Sequence, residues 1–136
     1  MACPFFEPRE VVSRPEYPGA RLPLLEEYDG LCHATSEPLP APAELRFRCC
    51  NHGYSSGCCP HLPVAQSGSA VRFDVLSRTP ETITLLYVQE HDHTPLRWRN
   101  FCYSIAAQRF DSEFADECAE AQARAFCASF LRRFAV

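Results

Sequence analysis

The sequence predicts an α+β fold: an irregular, Pro- and Cys-rich N-terminal half around a metal centre, then a three-stranded antiparallel meander with one C-terminal helix. Three observations lead there. Ten of the twelve prolines fall in the first 63 residues, which forbids a long helix or a central strand in that stretch. Six of the nine cysteines lie in the same stretch, where a metal can staple extended segments that bury little area of their own. From Ser69 onward the residues alternate or repeat as ordinary strands and a helix do.

In chain order, a short strand is expected at Leu45–Cys49, where Leu45, Phe47 and Cys49 alternate with Arg46 and Arg48. Residues 70–76 alternate with Val71, Phe73 and Val75 on one face, and Thr79-Pro80-Glu81 is a turn signal. Residues 82–90 are rich in β-branched and aromatic side chains. His91 to Pro95 makes a polar turn, and residues 96–105 return as a third strand. Asp111 or Ser112 caps a helix running to about Phe134, with Phe114, Cys118, Ala121, Ala125 and Phe126 on its apolar face. The 136 residues read as one domain, 1–66 forming the metal-binding half and 67–136 the meander and helix.

A net charge of −4 argues against a nucleic-acid partner. No apolar run reaches bilayer-spanning length, and no secretory signal opens the chain, so a cytoplasmic protein away from membranes is expected. All thirteen basic residues are arginine, which removes lysine nucleophiles and Schiff bases. An odd cysteine count without an export signal fits metal ligation better than a disulfide framework.

Cys-Cys-x-His occurs twice in the stretch Cys49-Cys50-Asn51-His52-Gly53-Tyr54-Ser55-Ser56-Gly57-Cys58-Cys59-Pro60-His61. Together with Cys3-Pro4 and Cys32-His33 this makes four cysteine loci. Adjacent side chains of an extended chain point to opposite faces, which selects one member of each doublet. Cys49 continues the apolar Leu45–Phe47 face and reads as core; Cys50 faces the other way. Cys59 precedes Pro60 as Cys3 precedes Pro4, and a Cys-Pro ligand recurs in ferredoxin-type cluster runs. The ligand set expected is Cys3, Cys32, Cys50 and Cys59. A [4Fe–4S] cluster tolerates such scattered spacing, whereas structural zinc favours close C-x₂₋₄-C pairs. Zinc stays open as the alternative, because Cys32-His33, Cys50-x-His52 and Cys59-x-His61 offer mixed ligand sets. Arg46 and Arg48 either offset the thiolate charge or form a solvated face.

The 49–61 stretch resembles small bacterial cysteine-cluster proteins described as zinc- or iron-chelating. That resemblance implies metal chelation and no defined reaction. The tightly spaced run of single cysteines in those proteins is missing here, so no residue role carries over.

Other features read more plainly. Glu90-His91-Asp92-His93 is either a second metal site or a hairpin turn, and the turn is favoured. Trp98, opposite in facing to Arg97 and Arg99, reads as a core or partly covered aromatic, with a surface for a planar ligand as the alternative. Cys102, Cys118 and Cys127 read as inert buried thiols. Glu26-Glu27 lacks a legible catalytic partner. The expected function is an iron–sulfur protein with a structural, redox or sensing role. The alternatives are a zinc-stapled module read by an unidentified protein partner, and a Cys-dependent enzyme using Cys58 or Cys49 with His52 or His61. Catalysis is the lesser expectation, since no oxyanion motif is legible.

Overall fold

Proline sorts the N-terminal half into a sheet rather than forbidding one. A computed structural model describes residues 2–15, 22–34, 37–52, 59, 69–114 and 116–134. In it β1 (Phe6–Val11), β2 (Tyr28–Cys32) and β3 (Leu39–Pro40) pair antiparallel in the order β1-β2-β3. The central strand β2 has no proline. Pro8 lies on the edge strand β1 beside a register shift, and Pro40 on the other edge. Edges and bulges are where a missing N–H is tolerated. The expected irregular N-terminal half is corrected accordingly: it holds a three-stranded sheet.

The strand expected at Leu45–Cys49 is also corrected. Pro42 opens a single α-turn, α1 (Ala43–Leu45), which runs on as a π-helical turn, Arg46–Cys50. Its closing bond, Asn51 N–H to Arg46 O at 3.0 Å, spans five residues. Ala, Glu, Leu and Arg are good helix formers, and proline suits a helix start. The alternation of Leu45, Phe47 and Cys49 is therefore incidental.

The second sheet has four strands, not three. β4 (Ser69–Arg78), β5 (Thr82–His91) and β6 (Thr94–Ser104) form a meander, and β7 (Arg109–Phe110) adds to β6 at Tyr103 and Ser104. The molecule is mostly β, with two antiparallel sheets, and the predicted fold class is overturned on that ground. The β5–β6 turn places Asp92 and His93 at φ 49° and 65°, the two left-handed positions of a type I′ hairpin.

The long helix, α2 (Glu117–Phe134), starts later than Asp111 or Ser112. Its cap is Asp116, whose Oδ1 accepts from Cys118 N–H at 2.9 Å. Asp111 instead accepts from Cys102 N–H on β6. Phe114 stands before the helix and stacks on Phe101 at 3.8 Å.

One core joins these parts. Phe73 and Phe126 pack ring to ring between β4 and α2, above the buried Ile83 and Leu85. Ala2 and Val71 exchange both backbone hydrogen bonds, tying the start of the chain to β4. At the far end of α2, the Tyr28 hydroxyl donates to Ala125 O, contacts Ser129 Oγ and accepts from Arg132, which also pairs with Glu26. No helix among the described residues is long and apolar enough to cross a membrane.

Gly30 sits where β1 and β2 come closest. A Cβ there would lie 2.0 Å from Glu7 O and 2.9 Å from its carbonyl carbon, both backbone atoms that cannot swing aside. Gly30→Ala is expected to force β1 from β2 and cost about 2–4 kcal/mol. A lowered urea midpoint checks this; a midpoint equal to that of the unaltered protein would contradict the close approach.

Candidate metal centre

Each of the four expected ligand positions is placed by a different piece of the chain. Cys3 opens the turn leading into β1, and its N–H donates to Cys50 O at 3.2 Å. Cys32 ends β2 opposite Phe6 in register. Cys50 ends the π-helical turn. Cys59 comes from the segment that follows, half-buried, while Cys3, Cys32 and Cys50 are buried. All four are free thiols.

These thiols feel one another's charge. Burial pushes the Cys3 thiol up to about 12, and Cys32 and Cys59 raise it further, opposed by N–H groups of Phe5 and Phe6 that point at its sulfur. Burial likewise carries Cys50 to about 12, with Cys3, Cys32 and Cys59 adding to the rise and Arg46 opposing it. Cys3 and Cys50 thus each lie within charge range of Cys32 and Cys59. The described side chains hold no group of three or more His, Cys, Asp or Glu already placed to grip a metal ion.

Strand faces do not separate Cys50 from Cys49, because no strand forms there. On the helical turn both are buried, and what separates them is chemistry: Cys49 is disulfide-bonded, whereas Cys50 is a free thiol. That disulfide was not expected from the sequence. Cys58 and His61, named as nucleophile and base, lie outside the described residues. His33 and His52 are occupied elsewhere. His33 Nε2 contacts Glu7 Oε1 at 2.6 Å, and His52 Nδ1 contacts Phe47 O at 2.6 Å.

Around the thiols stand buried polar groups that sequence reading missed. Gln122, fully buried on α2, donates through Nε2 to Cys3 O at 2.7 Å and Phe6 O at 2.8 Å. It clamps both ends of the turn that presents Cys3. Asn51, 1% exposed, accepts from Tyr28 N–H and donates to Tyr28 O and Arg46 O, locking β2 to the π-helical turn. Arg46 donates to the buried Glu27 at 2.9 Å and bears on the Cys50 charge, so it is no solvated strand face. Amphipathic periodicity hides Gln122 because it counts a polar residue as solvent-facing. Asn51, directly after Cys50, carries no pattern at all.

The remaining candidates resolve into structure. Glu90 to His93 forms the hairpin end, with His91 Nε2 3.3 Å from Asp92. Glu26 and Glu27 are ion-paired to Arg132 and Arg46. Cys118 and Cys127 are buried and pushed up to about 12, chiefly by burial; Cys102 is half-buried. Trp98, read as a core or partly covered aromatic, is 68% exposed. Comparison with protein-family models, curated proteins and solved structures finds no match.

Two outcomes are expected. Gln122→Ala removes both donors to the Cys3 turn and leaves buried carbonyls short of partners, at a cost of about 2–4 kcal/mol by chemical denaturation. Little change would show the clamp to be idle. The second concerns Cys127, buried beside Tyr103 and Arg124. Below pH about 9 its thiol is protonated in folded and unfolded chains alike. Above that the unfolded thiol ionises while the fold holds it neutral to about 12, so stability falls as pH rises through this window. Cys127→Ala should flatten that fall, read from urea midpoints across the window.

Proposed function

We propose that the chain binds an iron–sulfur cluster of the [4Fe–4S] type on Cys3, Cys32, Cys50 and Cys59. The observation that carries this reading is that four free thiols come from four separate segments, with Cys32 and Cys59 near enough to raise both Cys3 and Cys50. Among the described residues the donors offered are sulfur, since His33 and His52 are turned to other partners. Thiolate ligands suit iron–sulfur clusters, and N–H groups aimed at sulfur tune and stabilise them. Phe5 and Phe6 supply such donors to Cys3, and the Arg46 guanidinium offsets charge at Cys50. When bound, the cluster would tie the turn before β1 to the end of β2 and to the π-helical turn, and offer a one-electron couple. Metal must displace the thiol protons, so loading strengthens as pH rises.

A nucleophilic role has less support. A reactive thiol needs a depressed pKa, and burial drives Cys3, Cys50, Cys118 and Cys127 the other way.

Anaerobic purification with a visible spectrum and iron and sulfide analysis tests the proposal. A brown protein with about four irons and matching sulfide is expected. Cys50→Ala or Cys59→Ala should lose the colour, while Cys102→Ala and His52→Ala keep it. A colourless protein carrying one zinc would replace the cluster with a structural ion. Colour retained in Cys50→Ala would remove that residue from the ligand set.

A further inference from the structure

Among the described residues, β6 leaves most of its outer edge without a strand. β7 pairs only with Tyr103 and Ser104, and Asp111 takes the backbone N–H and C=O of Cys102. From Thr94 to Asn100, β5 pairs with the inner side and no described strand follows on the outer side. All seven of those residues are exposed. Sheet edges are ordinarily guarded by charge, proline or bulges, because their free N–H and C=O groups recruit other strands. Pro95 and a register shift guard one end here. A guarded edge has no need of a large apolar surface, yet Trp98 and Leu96 are 68% and 58% exposed.

The two faces beside this edge differ in chemistry. On the α2 side a cleft of about 470 Å³ includes Arg97, Arg99, Tyr87 and Phe114, and Trp98 at the edge borders this cleft as well as the opposite one. Neither arginine has a carboxylate partner among the described residues; Arg99 only reaches Glu113 O and lies over Phe101. Asp116 also lines the cleft, with Oδ1 engaged in capping α2. On the opposite side a cleft of about 330 Å³ is lined by Leu86, Val88, Pro95, Trp98 and Arg72. A strand added to β6 would send successive side chains alternately into the basic cleft and the apolar one.

We infer that the Thr94–Asn100 edge of β6 docks an extended partner segment that alternates acidic and apolar residues, by strand addition. Main-chain pairing supplies the contact, the arginines take the carboxylates, and the Trp98 cleft takes the apolar side chains. A second copy of the chain fits poorly. Antiparallel self-pairing centred on Trp98 sets Arg97 against the partner copy's arginine, and like charges directly opposite are destabilising. The inference stands on the second sheet and does not depend on metal at the cysteines.

Trp98 is the sole tryptophan, so its emission reports on this edge alone. The probe is a ten-residue peptide alternating Glu and Val, titrated into the full chain. A saturable shift in emission is expected, weakened at least about tenfold by Arg97→Glu. The same variant should gain binding to the matching Lys–Val peptide, which the unaltered protein ignores. Trp98→Ala, followed by anisotropy of a labelled Glu–Val peptide, should also lose binding while its circular dichroism is unchanged. No saturable shift, equal binding of both peptides, or a shift that follows protein concentration without peptide would overturn the inference. The last result would mark the edge as a self-association surface.

Discussion

Everything near the cysteines depends on how the turn from Ala2 to Phe6 is held. It is pinned from three directions at once: to Val71 on β4 by a two-way backbone bridge, to Cys50 O on the π-helical turn, and to Gln122 on α2. The first residues of the chain are thereby buried between two sheets and a helix. Ala2 is fully buried and Cys3 nearly so. This fixes where Cys3 stands relative to Cys50, and through the Phe6–Cys32 register, relative to Cys32.

Burial sets the chemistry of these thiols. Ionised sulfur is costly in a dry site, so Cys3 and Cys50 hold their protons strongly and repel a second charge nearby. A cationic metal or cluster core reverses that balance, because each thiolate then has a positive partner. On the reading proposed above, a cation would turn the repulsion at Cys3 and Cys50 into attraction. Gln122 and Asn51 bring no charge of their own. Their contribution is to hold the loops in place before any metal arrives, which lowers the ordering that binding must supply.

The sequence made some of this readable and hid the rest for physical reasons. Residues 69–104 form strands close to where alternation placed them, since period-2 patterning reports directly on a half-buried sheet. The N-terminal sheet is hidden because a high proline count says nothing of where each proline falls across a sheet. Pro8 and Pro40 sit on edges, where they do no harm, and proline-free β2 is the centre. Helical propensity in Ala43-Glu44-Leu45 outweighed a three-residue alternation that fits either structure. The four cysteine loci were nameable from spacing and Cys-Pro steps. Their supports were not: Gln122 lies 119 residues from Cys3, a partnership that no local pattern encodes.

X-ray absorption at the metal edge of anaerobically prepared protein tests the central claim most directly, because it counts the atoms bound to the metal. Iron surrounded by sulfur alone, with a second shell of iron at cluster distance, is the result predicted for Cys3, Cys32, Cys50 and Cys59. Nitrogen in the first shell, or a lone zinc with no metal neighbour, would contradict it.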